Sequence, residues 1–450
     1  MPSAIPAIFR RLMDLAVLLI GLLSAPIWIL TMARRGKLRT DWPGRFGFGP
    51  SLPQPATGRR RILVHAVSVG ETAAIATLVD RLLEGDEPVD VVVSVTTNTG
   101  VARAEQLAAG RYPVIRTPLG LYGPCRRWLR RVRPDLLVLV ELEVWPAMTA
   151  EAESLGVPVI VINGRLTERS ARRYRQIAGL IRPSFARLRW CAVQDQPIAD
   201  RFIALGVPRE RVEILGTMKW DTAVIADHVD GAEALARTLG IDRSRPLVVA
   251  GSTAPDETSL IDHAVGDGAQ LLCAPRRPEW FDGVADDLPG CVRRSRCGDA
   301  GDPAGDQPDA AARDAVHPAV RDQAPPKAHG RFLLDTIGEL RAAYALADVV
   351  IVGRSFGSLH GSDMMEPIGL GRPTVVGPRT GDFEATMRAL LAGDGIVQVQ
   401  ADDLATTVAG LLADSESARA MAERGRAVIQ ERQGVAEAHE RLIRRVLADA

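Results

Sequence analysis

The sequence predicts an α/β protein of two doubly wound domains facing a cleft, with an N-terminal membrane-anchoring helix. Three observations carry this expectation: short apolar runs alternate with helical stretches rich in Ala, Leu and Arg, the alternation pauses between Thr222 and Arg245, and an uncharged apolar run stands near the N-terminus. Continuous apolar strands alternating with helices indicate parallel sheets covered on both faces. At 450 residues the chain exceeds one ordinary core, and two domains is the simplest division.

The apolar run comes first. From Leu15 to Ala33 there are 19 residues without a charge, flanked by Arg10 and Arg11 on one side and by Arg34, Arg35, Lys37 and Arg39 on the other. At about 1.5 Å per residue such a run nearly spans a hydrocarbon core of ~30 Å. Pro26 weakens the helix midway, and Trp28 suits a membrane interface. A cleaved signal peptide is disfavoured because no small-x-small site ends the run. The larger basic cluster adjoins the folded body and places that body on the cytoplasmic side.

From Arg60 onward the strands are RILVHAV, VDVVVSVTT, YPVIRTP, DLLVLVELEV, VPVIVING, WCAVQD and RVEIL. After the pause a second set follows: PLVVAGST, AQLLCAPRRP, RFLLDT, DVVIVGRS, RPTVVGP and GIVQVQ. The expected division is an anchor and basic flank over 1–40, domains over 41–225 and 226–430, and a C-terminal helix over 431–450. Between Gly298 and Gly330 the chain is rich in Pro, Asp, Ala and Gly without hydrophobic period, the composition of a surface insertion.

Composition excludes several classes. The 55 basic and 55 acidic side chains balance, which gives no general reason to bind nucleic acid. Cys125, Cys191, Cys273, Cys291 and Cys297 lack metal-ligand spacing and read as reduced thiols.

Ligands of doubly wound sheets bind beyond the carboxyl ends of the strands, so chemistry is expected of the strand-end residues. His65-Ala66-Val67-Ser68-Val69-Gly70-Glu71 sets a carboxylate at a helix start, where it either complements the helix dipole or acts as a general base. Glu141 and Glu143 follow a buried run, and in extended geometry they point the same way. Arg165 and Lys219, at two other strand ends, are their expected partners, in a structural ion-pair network or a working site. Arg276 and Arg277 offer guanidinium forks suited to phosphate, and Thr336-Ile337-Gly338 exposes backbone N–H groups. Glu366 either caps a helix or accepts ribose hydroxyls. Two basic clusters, Arg126 to Arg133 and Arg165 to Arg175, are solvated helix faces or hold lipid phosphates.

In order and spacing, HAVSVGE, TTNTG, ELEVWP, INGRLTERS, LGTMKWD, GST, PRRPEWF, DTIGEL, ADVVIVG, and EP followed by GRPTVVGP resemble the transferases of 3-deoxy-D-manno-octulosonic acid (Kdo), two-Rossmann glycosyltransferases of the GT-B type. The resemblance runs from about Trp42 to about Val399. It implies inverting, metal-independent transfer of Kdo from CMP-Kdo to a lipid A precursor at the bacterial inner membrane, with no cofactor and no nucleic acid. On the matching positions, Glu71 is the implied base and Glu143 its catalytic support. Ser68, Gly70, Glu141 and Arg165 are implied for the acceptor, and Lys219, Arg276, Arg277, Thr336, Ile337, Gly338, Ser355, Asp363 and Glu366 for the donor.

The chain departs from the family where His360-Gly361-Ser362-Asp363 replaces Gly-Gly-His-Asn, and where Ala254, Arg277 and Arg379 stand in place of histidines. Aspartate at 363 removes two amide donors and adds charge near an anionic donor. The alternatives are therefore transfer of another CMP-activated acidic sugar, or a homologue that binds without catalysis.

Overall fold

The computed structural model describes residues 7–26, 29–30, 40–55, 57–85, 87, 89–298 and 330–449. The basic flank at Arg34, Arg35, Lys37 and Arg39, Trp28, and nearly all of the 298–330 insertion lie outside them. The chain divides into two compact units, Met1–Thr222 with Arg432–Ala450, and Ala223–Glu431. The C-terminal helix, expected as a segment of its own over 431–450, groups with the first unit.

The first unit is built on seven parallel strands: β1 (Arg61–Ala66), β2 (Asp90–Val95), β3 (Val114–Arg116), β4 (Leu136–Val140), β5 (Val159–Gly164), β6 (Trp190–Val193) and β7 (Val212–Ile214). Their spatial order is β3-β2-β1-β4-β5-β6-β7, so the winding reverses between β1 and β4. Neighbouring residues of β1 enter opposite cores, which is why the strand reads as a continuous apolar run. Ile62 and Val64 pack with Leu78, Leu82, Leu442, Ile443 and Val446. Leu63 packs with Trp128, Leu129, Phe185 and Phe202.

The second unit repeats the plan with β8 (Leu247–Thr253), β9 (Gln270–Pro275), β10 (Val292–Arg293), β11 (Arg331–Leu333), β12 (Val349–Val352), β13 (Thr374–Val376) and β14 (Val397–Gln398). The order is β10-β11-β9-β8-β12-β13-β14, reversing between β8 and β12. The sequence reading lacked β10, because two residues are too short to show a hydrophobic period.

The N-terminal helix covers Ala7–Leu23 and ends at Ser24, whose hydroxyl donates to Ile20 O at 2.7 Å. Among the described residues no helix is long and apolar enough to cross a membrane. Asp14 on this helix accepts the backbone N–H groups of Tyr122 and Gly123, both at 2.7 Å. Those donors belong to the first turn of the helix Tyr122–Val132, where a carboxylate complements the dipole. All five cysteines are free thiols, with Cys125, Cys191 and Cys273 buried.

Candidate active site

In the first unit the site grows from the loop after β1. Ser68 is the N-cap of the helix Val69–Ala74, and its hydroxyl accepts the Glu71 N–H at 3.3 Å. The Glu71 carboxylate folds back to accept the Val67 N–H at 2.7 Å and the Ser68 hydroxyl at 3.0 Å. This is the reciprocal logic of a capping box, so the helix-start and chemical roles of Glu71 coexist. Burial raises the Glu71 pKa above the ordinary carboxylate value, opposed by the Val67 N–H and reinforced by the charges of Glu141 and Glu143. Nothing but the Ser68 hydroxyl, 3.9 Å away, lies near a Cβ built on Gly70, so this flank of Glu71 is open.

The structure corrects the geometry expected for Glu141 and Glu143. β4 ends at Val140, and Glu141 adopts a left-handed conformation with φ of 60°. The pleat does not align the two acids; a strained turn delivers them to the same neighbourhood, at a cost of about 1–2 kcal/mol. Burial raises the Glu141 pKa, and the positive charges of Arg165 and Lys219 oppose that rise. These are the partners expected from sequence, although Lys219, expected with the donor residues, stands in the first unit. Glu143 behaves differently. Burial pushes its pKa up, but the His65 imidazole and the Trp145 indole N–H outweigh it and hold the carboxyl below its ordinary value. Trp145 donates to Glu143 at 2.6 Å, and His65 Nε2 lies 3.8 Å from the same oxygen.

His65 and Trp145 had no role in the sequence reading, and neither did the Asn163–His439 clip behind the β5 end. His439 Nε2 accepts the Asn163 N–H at 3.0 Å, while its Nδ1 donates to Val435 O at 2.8 Å. This pairing fixes the neutral tautomer, and burial lowers the His439 pKa. Asn163 Oδ1 in turn accepts the Met218 N–H at 3.1 Å, joining the Arg165 and Lys219 loops to one support.

The expected lipid-facing arginines separate. Arg126 pairs with Glu151, Arg127 donates to Phe46 O and stacks on Phe48, and Arg131 donates to Phe48 O. These three brace the protein. Arg169, Arg172, Arg173 and Arg175 remain on an exposed helix face.

In the second unit the loops after β9, β11 and β12 carry the expected donor residues. Arg276 anchors its N–H to Thr253 O at 3.0 Å and exposes its side chain. Ile337 is 74% exposed, and Gly338 has φ of 102°, which only glycine adopts without strain. Burial raises the Glu366 pKa, with Asp363 adding to the rise and Arg341 and Arg276 opposing it. Asp363 accepts the Met365 N–H at 2.9 Å and so helps to set the helix that bears Glu366.

Three expected donor residues also make contacts within the unit. Ser355 is fully buried; its hydroxyl donates to Val352 O and accepts the Gly377 N–H, fastening β12 to the turn after β13. Arg277 lies over the Trp280 ring at 4.9 Å and near Glu279. Thr336 donates its hydroxyl to Glu339.

Sequence reasoning missed two residues here. Buried Glu257 accepts the N–H groups of Ala254, Arg354 and Phe356, fixing the loops after β8 and β12. Its only local signal is a glutamate two residues after Pro255, which opens a helical turn. Tyr344 is buried beneath the end of β8, where a Cβ on Gly251 would lie 2.1 Å from its hydroxyl oxygen. Its pKa is raised by burial and by the nearby Glu366 and Asp363. An aromatic residue in a short helix reads as core, which hid it.

Residues 40–222 match the profile of the family described as 3-deoxy-D-manno-octulosonic-acid transferase (kdotransferase). The 3-deoxy-D-manno-octulosonic acid transferase of Bordetella pertussis is 31% identical over 421 residues, covering 89% of this chain and 91% of its own. That of Haemophilus influenzae is 29% identical over 404 residues, covering 87% of each. A glycosyltransferase structure from Rickettsia africae shares the fold, with a TM-score of 0.56 at 9% identity over 87% of this chain and 98% of that one. With its strand-end acids on the family's motifs and near full-length similarity to these relatives, the chain belongs to the 3-deoxy-D-manno-octulosonic acid transferase family.

Proposed function

We propose that this protein is an inverting glycosyltransferase that moves Kdo from CMP-Kdo to a hydroxyl of a lipid A precursor on the cytoplasmic side of the bacterial inner membrane. The observation that carries the mechanism is the Glu71 carboxylate, held at the end of β1 by Val67 N–H and the Ser68 hydroxyl, with a raised pKa. A base with that shift is better matched to deprotonating a hydroxyl near neutral pH than an ordinary glutamate. Glu71 takes the acceptor proton as the acceptor oxygen attacks the anomeric carbon of Kdo. The bond from that carbon to the CMP phosphate oxygen breaks on the opposite face, and CMP leaves with the electron pair. Glu143, kept ionised by Trp145 and His65, and the Glu141–Arg165–Lys219 group orient the acceptor. Arg276, the Thr336-Ile337-Gly338 turn, exposed at Ile337 and Gly338, and Glu366 bind the CMP moiety.

The N-terminal helix supports membrane attachment. Ile8, Leu12, Leu15, Leu19, Leu22 and Leu23 are exposed around it, while Asp14 fixes it to the folded body. Such a helix gains by entering lipid, and the bare arginines of the helix Glu168–Gln176 suit anionic head groups.

The test is transfer in detergent, with CMP-Kdo generated in situ and a tetraacylated lipid A precursor, comparing wild type with Glu71→Ala. Product from wild type alone supports donor, acceptor and base together. No product from either folded protein removes the substrate assignment and leads to other CMP-activated acidic sugars, the reading favoured by the Asp363 carboxylate beside Glu366. Equal product from both removes Glu71 as the base.

A further inference from the structure

Behind the second sheet, away from the proposed donor residues, lies a cavity of about 630 Å³. Pro246, Asp348 and Pro373 line it, and each falls just before or at the amino end of β8, β12 or β13. Arg276, Glu366 and the 336–338 turn belong instead to segments after the carboxyl ends of strands. A strand of seven residues is roughly 23 Å long, so the cavity is a separate place in the same unit.

Five arginines line the cavity: Arg243, Arg245, Arg372, Arg419 and Arg426. Three carboxylates face them, Asp227, Asp348 and Glu423. Two of these are engaged by one arginine, since Arg426 pairs with Asp227 at 2.7 Å and Glu423 at 3.3 Å. Asp348 accepts the Leu247 N–H at 2.8 Å. Arg243 donates to Leu346 O at 2.8 Å and reaches Glu233 at 3.7 Å, and Arg245 makes one 3.4 Å contact to Asp267 O.

Arg372 is half-buried at the centre. Its Nη1 donates to Ala347 O at 3.0 Å, but its Nε is buried without a hydrogen-bond partner. Burial lowers its pKa, and the charges of Arg243, Arg426 and Arg419 lower it further, against the attraction of Asp348. A guanidinium keeps its charge, so an anion bound here would relieve that repulsion.

We propose that this cavity is a second anion site, for a soluble small molecule bearing a phosphoryl group. A phosphoryl group would offset the surplus of positive charge, five guanidinium groups against Asp227, Asp348, Glu423 and the Glu233 beside Arg243, and would offer several acceptors to guanidinium groups. The volume exceeds that of bare phosphate and lies within the range of small-molecule pockets, and the concave shape suits a soluble ligand. Arg426 also donates to Gly369 O at 3.2 Å, at the end of the short helix carrying Glu366, so an occupant would touch the support of a proposed donor residue.

The test uses the full chain in detergent and isothermal titration with inorganic pyrophosphate, inorganic phosphate and ribose 5-phosphate at constant ionic strength. Because a phosphoryl compound could also enter through Arg276, the comparison is between Arg276→Ala and the double variant Arg245→Glu/Arg419→Glu. Saturable binding of at least one probe that persists in Arg276→Ala and weakens roughly ten-fold or more in the double variant supports the site. Stronger binding of ribose 5-phosphate than of inorganic phosphate identifies a phosphorylated organic ligand; the reverse identifies the free ion. If the double variant fails to fold, Arg419→Glu alone serves, since Arg419 is exposed and unpaired among the described residues. No saturation by any probe below about 10 mM, or binding lost in Arg276→Ala but intact in the charge reversals, overturns the proposal.

Discussion

In the first unit Glu71, Glu141 and Glu143 interact electrostatically across the ends of β1 and β4, with Arg165, Lys219 and His65 around them. In the second unit Glu257 and Asp363 hold backbone N–H groups, and the exposed cation Arg276 acts on Glu366. Both sheets carry left-handed non-glycine residues at strand ends, Glu141 and Asn163 at the ends of β4 and β5 and Ser252 and Arg354 at the ends of β8 and β12. The same backbone device therefore serves two ends. At Glu141 the strained residue carries the acid itself, whereas Ser252 and Arg354 shape loops for other groups.

The sharpest way to break this contrast is Glu71→Gln. If the first unit supplies proton chemistry, turnover falls roughly 10²–10⁴-fold while the melting temperature hardly changes, because the amide oxygen still accepts the Val67 N–H. In wild type the acid limb of kcat/KM should then lie above the ordinary carboxylate value of 4.5, since the base must be deprotonated and its pKa is raised.

Glu257→Ala tests the scaffolding half. Three buried N–H groups lose their acceptor, and the denaturation midpoint should fall by the equivalent of about 3 kcal/mol. Glu257→Gln, which keeps one acceptor oxygen, should recover part of it. A smaller effect comes from His439. Its folded pKa lies below the unfolded value, so the unfolded chain binds the proton first, and stability is lost as pH falls below about 6.5. The slope attributable to His439 is at most about 1.4 kcal/mol per pH unit, measured as the difference between wild type and His439→Gln. The smallest effect is expected for Glu141→Gly, which removes strain and should stabilise by up to about 1 kcal/mol while lowering turnover.

Among the described residues thirteen of the fourteen strands were legible, most of them because a strand buried on both faces writes itself as an apolar run. The strand-end acids were legible for the complementary reason that charges abutting such runs need an explanation. What stayed hidden depends on distance along the chain or on backbone geometry. Asn163 meets His439 across 276 residues, and no local pattern announces it. Glu141 continues an apparently extended run, yet its φ is positive. Arg127 and Arg131 look like a solvated stripe, but carbonyls of the Phe46–Phe48 loop claim them. The change at Asp363 was visible, whereas its bond to Met365 N–H required the fold.

The last 19 residues return to the first unit, where Val435, Leu442, Ile443 and Val446 complete the core over β1 and β2. On the ribosome this reverses the usual order of vectorial folding, in which the earlier domain finishes first. The half that emerges first has to wait, with Leu78 and Leu82 uncovered, until the whole of the second half has been translated. A premature stop near residue 431 would therefore spare the later-made unit and leave the earlier one sticky, a substrate for chaperones and proteases.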